Sequence, residues 1–339
     1  NTIYYRLRKD ISGFQRGTVF IEGTVVHGYH RIKRILNLQE GITRYIKGPF
    51  YIEEKMDGYN IRIRKIGTKV FAFTRGGFIC PFTMDRLHEF IDTAFFDTYP
   101  DLTLCAEVVG PENPYNSEGV PYMDRDIQFY IFDIKDRLGR SLPIEKRYRI
   151  YKEASLNSVR RWGPFQKGDI EKIRDIVREL DAEQREGIVI KPITQGPDLK
   201  YVTLGSCIRD IKATAHLMTE IPAGFYIQRI LRLVMICREF DIPLTSEILA
   251  DIGKALVLPL DESVSEVKKG EKIKEYFRIR VNKKETIDRM LRHLKKTGIT
   301  AQIVSVNQED GKFVVTFYRT FPKGTKILKR ALKGYGIYD

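Results

Sequence analysis

Cysteine is scarce in this chain. Its four residues, Cys80, Cys105, Cys207 and Cys237, are scattered, and no CxxC pair occurs. The common zinc patterns need closely spaced ligands, so a structural zinc site is not expected. Isolated thiols of this kind read as buried and reduced, as in a cytoplasmic protein. "HGYH", from His27 to His30, also lacks Cys or His partners nearby, and no metal is expected there. Long apolar runs are missing too. The best candidate, "RILRLVMICREF", is broken by Arg232 and Arg238, so no membrane partner is expected. The first residues are polar and basic without an apolar core segment, and no secretory signal is visible. Internal repeats and low-complexity stretches are absent.

What is present is length, apolar content and positive charge. The 339 residues are enough for two or three domains, and a hydrophobic fraction of 42% indicates a folded chain. Lys and Arg number 58 against 44 acids, a formal charge of +14. An excess of that size favours a polyanionic partner such as nucleic acid or a phosphate-rich ligand. Abundant Lys, Arg and Glu beside 6 Met also fits a heat-adapted source.

Patterning gives four segments of a mixed α+β protein. Residues 1–49 combine short strands with a short helix around "RIKRILNL" as an N-terminal module. Residues 50–212 are rich in strands: "FYIEEK", "YNIRIRKIG", "KVFAFTR", "LTLCAEVVG", "IQFYIFDI" and "GIVIKPI". Helices are expected in "PFTMDRLHEFIDTAFF" and over 144–185, with Asp169 as a cap. Residues 213–268 are helical: Ile230, Leu231, Val234 and Cys237 recur at helical spacing. After a charged linker, residues 269–339 read strand, helix, two strands and a basic helix, a small α+β domain.

One short stretch concentrates chemistry. In "YIEEKMDGYNIRIRK", Lys55, Asp57 and Gly58 crowd between two alternating runs. K-x-D-G alone is weak, since it arises by chance in roughly one chain of this length in ten. The blocks that follow it in order carry the weight. They are Arg75 in "FTRGG", Glu107 in "LCAEVVG", "FYIFDI" with Phe132 and Asp133, "EGIVIK" from Glu186 to Lys191, and Lys200 in "DLKYV".

This ordered set resembles the covalent nucleotidyltransferases, which include ATP-dependent ligases and mRNA capping enzymes. Within them, DNA ligases and capping enzymes usually carry arginine two residues after the motif glycine, where RNA ligases often carry asparagine. Here that residue is Asn60. Over nearly its full length the chain resembles the homodimeric, archaeal-type ATP-dependent RNA ligases. The resemblance implies a nucleotidyltransferase domain of antiparallel sheets with flanking helices at 50–212. It also implies an N-terminal module, a helical dimerisation domain and a C-terminal domain as divided above.

The resemblance further implies ATP, Mg2+ or Mn2+, and RNA with 5′-phosphate and 3′-hydroxyl ends, including the two ends of one strand. Lys55 is then the nucleophile that takes AMP. An ordinary lysine, with a pKa of roughly 10.4, is protonated at neutral pH, so the site must favour the neutral amine. Met56 joins the nucleotide contacts. Asn60 helps hold metal-bound water, Glu107 binds ribose hydroxyls, and Phe132 stacks on adenine. Arg75 contacts ribose or the 3′-end, and Lys200 neutralises the α-phosphate. Glu186, an acid beside phosphates, makes sense with a cation between and is assigned to metal.

Strand parity refines these assignments. Tyr51, Glu53 and Lys55 share a face, which makes Glu53 the first candidate for adenine N6 and Glu54 the second. Tyr130 and Phe132 share a face opposite Phe129, Ile131 and Asp133. Asp133 is either a second metal contact or the acceptor of a structural bond. Lys191 falls on the face opposite Glu186 if the strand is regular, so its place in the pocket is the weaker. Gly58 is expected at positive φ. Relatives often carry two lysines one residue apart in the last block. Here Val202 stands where the second would be, and the partner cation is unassigned, with Lys212 a distant candidate. The tail cations Lys326, Lys329, Arg330 and Lys333 fit either an RNA backbone contact or a solvated helix face. The alternative functions are a DNA ligase, a capping guanylyltransferase, and an RNA-binding protein with an inactive transferase domain.

Overall fold

The computed structural model describes residues 3–194, 196–217 and 220–336. The protein is α+β, with antiparallel sheets flanked by helices and one parallel strand pair, Leu199–Val202 with Lys33–Arg34. The chain forms two compact units, each assembled from separate segments. One takes in Asn1–Ile32, Met56–Trp162 and Phe277–Phe317; the other takes in Lys33–Lys55, Gly163–Tyr276 and Tyr318–Asp339.

The first unit is built on a four-stranded antiparallel sheet, ordered Lys69–Thr74, Tyr59–Ile66, Thr103–Val109 and Gln128–Lys135. One face of this sheet (Ile61, Ile63, Leu104, Ala106, Val108, Phe129, Ile131 and Ile134) is buried against the Pro81–Phe90 helix and its surroundings. The same core takes in Phe277, Ile279 and Val281 and the apolar stripe Ile287, Met290 and Leu294 of the Lys284–Lys296 helix. Charged groups tie these pieces as well. Arg86, fully buried, pairs with Asp126 at 2.8 Å and Glu89 at 2.6 Å and donates to the Arg280 carbonyl at 3.0 Å. Arg280 pairs with Glu112 at 2.6 Å. The N-terminal segment is fastened by the buried Arg62, which donates to the carbonyls of Gly17 at 2.8 Å and Thr74 at 2.9 Å.

The second unit holds a five-stranded sheet, ordered Arg161–Phe165, Phe50–Lys55, Gly187–Pro192, Leu199–Val202 and Lys33–Arg34. Period-two alternation splits its strands into two unlike faces. Phe50, Ile52, Ile188, Ile190, Leu199 and Tyr201 are buried on one, over which the Ile170–Ala182 helix packs Ile173, Val177 and Leu180. The other face carries Glu53, Lys55, Lys191 and Lys200. The helices Leu204–Ala215, Ala223–Glu239, Ser246–Lys268 and Pro322–Leu332 complete the unit. Glu239 accepts from the Leu38 amide at 2.6 Å and so anchors the start of the Leu38–Tyr45 helix.

Local expectations were met unevenly. The tail folds as strand, helix, two strands and helix, as its pattern indicates. The helix expected around "RIKRILNL" lies further on. Lys33–Arg34 is a short strand, and Asn37 caps a helix that starts at Leu38 by accepting from Glu40 N at 2.8 Å. The 144–185 stretch is two helices separated by the Arg161–Phe165 strand. Asp169 occupies the cap position of the second helix, but its carboxylate accepts from Gln166 N at 2.8 Å and from the Lys172 ammonium at 2.7 Å, not from a backbone amide of the helix's first turn. All four cysteines are buried free thiols. No helix among the described residues is long and apolar enough to cross a membrane.

Candidate active site

The polar face of the five-stranded sheet gathers the block residues of the second unit. Lys55 ends its strand opposite Gly187, and its amine contacts Glu186 Oε1. Parity alone sets Glu186 on the other face. It escapes because the regular strand begins only at Gly187, whose φ of +148° turns the chain just after Glu186. A side chain at Gly187 would put Cβ 2.2 Å from the Tyr201 carbonyl oxygen, so glycine is required there. Glu186 and Lys191 therefore both reach the Lys55 side, against the expectation that one of them points away.

Glu53, two residues before Lys55, forms a buried ion pair with Lys191, Oε2 to Nζ 2.6 Å. Glu54 lies on the opposite face and pairs with Arg185 at 3.4 Å, which removes it as a candidate for the Lys55 side. Directly across the sheet from Glu53 run Val189, Lys200 and Arg34, one residue per strand. Lys200 thus shares the face of Lys55. The outermost member, Arg34, was not among the residues singled out by sequence. Its Nη1 is buried and has no hydrogen-bond partner among the described residues. Burial, and next the charge of Arg232, hold this guanidinium below its ordinary pKa, while Glu186 and Asp210 act the other way.

The first unit carries the remaining blocks, with Asn60, Glu107 and Asp133 on one face of its own sheet. Asn60 stands opposite Glu107, and Glu107 opposite Tyr130. Gly58 is needed because a Cβ there would meet the Val108 carbonyl oxygen at 2.2 Å; its φ is not positive, contrary to expectation. Asn60 Oδ1 is buried with no hydrogen-bond partner among the described residues, and the same holds for Glu186 Oε2. Unsatisfied hard oxygens of this kind suit Mg2+ or Mn2+, so both residues fit the metal role that the resemblance implies. Arg75 is exposed in the turn after the Lys69–Thr74 strand.

Phe132 sits at an irregularity. Cys105 pairs with Asp133 but Ala106 pairs with Ile131, so Phe132 is the extra residue of a β-bulge. The bulge reverses the parity beyond it, and Asp133 joins Cys105, Glu107 and Tyr130 on one face instead of opposing Tyr130. Phe132 packs in a small cluster with Met56, Val109, Val159 and Tyr130, with the Tyr29 ring edge-on at 5.2 Å. Asp133 is fully engaged. It accepts from Tyr29 Oη at 3.1 Å, Ser141 Oγ at 2.6 Å, Arg147 Nη1 at 3.0 Å and its neighbour's amide at 2.9 Å. A carboxylate so occupied is a structural acceptor, and Asp133 leaves the candidate metal set.

The order of these blocks and the geometry around Lys55 agree with what the chain resembles as a whole. Residues 48–202 match the RNA ligase family model, and residues 213–335 match the model for the ligase Pab1020 C-terminal region. An uncharacterized protein of Methanocaldococcus jannaschii is 32% identical over 314 residues, covering 89% of this chain and 80% of that protein. A putative ATP-dependent DNA ligase from Aquifex aeolicus superposes with a TM-score of 0.93 at 35% identity, covering 99% of this chain and 94% of the other. An archaeal ATP-dependent RNA ligase superposes with a TM-score of 0.90 at 30% identity, covering 99% and 91%. Lysine block, partner strands and C-terminal region all fall under one description: the chain belongs to the archaeal-type ATP-dependent RNA ligase family.

Proposed function

We propose that the protein joins an RNA 5′-phosphate to a 3′-hydroxyl, within one strand or between strands, by way of AMP carried on Lys55. The observation that carries this reading is the Lys55 amine held against Glu186 at the end of a strand face that also presents Lys200 and Lys191. An amine nucleophile with the Lys200 cation on the same face suits attack on a triphosphate, Lys191 being paired with Glu53.

In the first step, the neutral Lys55 amine attacks the α-phosphorus of ATP. The bond from the α-phosphorus to its bridging oxygen breaks, pyrophosphate leaves, and the proton released by the new P–N nitrogen passes to solvent. Glu186 orients the amine before attack. Lys200 offsets charge on the α-phosphate, and Glu107, Phe132, Met56 and Arg75 hold ribose and adenine. Glu53 is the acid proposed for adenine N6, its orientation fixed by Lys191. Asn60 and Glu186 each offer an unsatisfied oxygen suited to a divalent cation, which would supply charge neutralisation on the phosphates. In the second step, an RNA 5′-phosphate oxygen attacks the same phosphorus and Lys55 departs. In the third, the RNA 3′-hydroxyl attacks the activated 5′-phosphate and AMP leaves.

The division into 1–49, 50–212, 213–268 and 269–339 is proposed as one by role, distinct from the two packing units. Exposed Ile227, Leu231, Val257 and Leu258 on the Ala223–Glu239 and Ser246–Lys268 helices support a homodimer contact. The Aquifex aeolicus likeness favours a second reading, DNA in place of RNA as the joined strand.

Incubation with α-labelled ATP and magnesium, followed by denaturation, tests the reading. Label is expected to stay with the protein and to vanish in Lys55→Ala. Label unchanged in Lys55→Ala would overturn the assignment. Offering 5′-phosphorylated RNA or DNA then separates the two substrates.

A further inference from the structure

The resemblance implies two lysines one residue apart in the last block, and this chain has one. Val202, at the second position, is buried, 3% exposed, and lies opposite Gly187. A site that handles phosphates on this face is short of one cation. The strand beyond Lys200 provides a candidate in Arg34, which pairs with Lys200 in parallel register, so both side chains rise from the same face. The Ile35 amide bonds the Lys200 carbonyl at 3.1 Å and fixes that register.

Arg34 differs from the other arginines with an unpartnered buried nitrogen among the described residues, in which that nitrogen is Nε. A planar guanidinium offers five donors, and one of its terminal nitrogens here is buried with no partner among the described residues. Its nearest charges include another arginine, Arg232, whose own partner Asp210 at 3.4 Å is already shared with Arg229 at 3.0 Å. Glu186, the other nearby acid, is engaged by Lys55. Arg34 therefore stands beside a second cation, while Asp210 is shared by two other arginines and Glu186 gives one of its oxygens to Lys55. Such an arrangement weakens the fold locally unless an anion completes it.

We propose that Arg34 is a phosphate-binding residue, its guanidinium standing in for the second cation that the last block lacks and gripping a phosphate group together with Lys200. The forked donor set suits two phosphate oxygens at once, which a lysine at Val202 would not offer. This inference rests on the adenylation reading. The phosphate belongs either to the nucleotide, with Arg34 next to Lys200 along the triphosphate, or to the RNA 5′-end.

Titrations of the full-length Lys55→Ala protein, with and without Arg34→Gln, distinguish these sources. The ligands are magnesium pyrophosphate, ATP and adenosine in one arm, and matched RNAs with 5′-phosphate or 5′-hydroxyl in the other. Arg34→Gln is expected to weaken binding of a phosphate-bearing ligand about tenfold, the loss of one charge-assisted contact. Adenosine and 5′-hydroxyl RNA should change less than about twofold. Loss in the pyrophosphate and ATP titrations assigns the nucleotide; loss confined to 5′-phosphate RNA assigns the RNA end. Arg34→Lys should recover part of the loss. The melting midpoint of Arg34→Gln should stay level or rise, because a guanidinium left unsatisfied in the free protein is removed. Unchanged binding in both arms overturns the proposal, as does an equal loss for adenosine accompanied by a lowered midpoint. If wild-type protein takes no label from ATP yet the pyrophosphate loss persists, the adenylation reading fails and the phosphate site stands.

Discussion

Glu53 and Lys191 form an ion pair at 2.6 Å in which both side chains are at least 96% buried, on the strand face that presents Lys55. Two charges taken from water together are stable only while each keeps its partner. Lys191→Met is therefore expected to cost about 3 kcal/mol, the usual scale for a buried charge left alone. The double variant Glu53→Gln/Lys191→Met should recover most of it. Urea denaturation of the three proteins checks this, and equal losses in single and double variants would contradict it.

Gly187 admits no side chain. Its φ of +148° opposes one, and a Cβ at this position would lie 2.2 Å from the Tyr201 carbonyl oxygen. Gly187→Ala should destabilise the protein by more than about 1 kcal/mol and shift Glu186 relative to Lys55. AMP labelling should fall at least tenfold in protein that remains folded by circular dichroism.

Asp133 separates folding from metal use. Asp133→Ala is expected to destabilise by about 3 kcal/mol, since Arg147, 5% exposed, loses its carboxylate partner. The magnesium concentration for half-maximal labelling should hold within about twofold in the surviving folded fraction. A tenfold rise would return Asp133 to the metal set.

His293 gives the fold a pH window. Its ring nitrogen meets Tyr115 Oη at 2.9 Å, and burial, reinforced by Lys296, lowers its pKa from 6.5 to about 4. The folded value lies below the unfolded one, so protonation favours the unfolded chain. The stabilisation is full above pH 6.5 and is lost progressively as pH falls towards about 4. At full effect this amounts to roughly 3 kcal/mol. Denaturation midpoints of wild type should drop across that window, and His293→Phe should flatten the drop.

Exposed Leu231 and Val257 bear on assembly. If these helices meet a second copy, Leu231→Glu with Val257→Glu should raise the dimer dissociation constant at least tenfold. Light scattering across a dilution series reads this directly. A wild-type protein that is monomeric throughout would rule the contact out.

Much of this was written in local pattern. The tail's order of elements follows from hydrophobic period and turn residues, and Lys55 with its downstream blocks follows from residue type in sequence. What failed depended on one-residue departures from regularity. Alternation placed Asp133 opposite Tyr130, but the bulge at Phe132 reversed it. It placed Glu186 away from Lys191, but the strand starts one residue later. Pairing across strands is also invisible locally. Nothing near "EEK" announces that Glu53 will meet Lys191, and a strand as short as Lys33–Arg34 leaves no periodic trace by which Arg34 could have been found.

The union of Phe277–Phe317 with Met56–Trp162 in one core bears on how such a ligase can be cut or recombined. Arg280 and the Lys284–Lys296 stripe cover surface that Arg86, Glu112 and the neighbouring sheet present. A chain stopped after the last lysine block would retain every proposed catalytic residue, yet bare an apolar wall and strand buried charges. Exchange of tails between relatives would succeed only with matched sheets, so these distant stretches are bound to be inherited together.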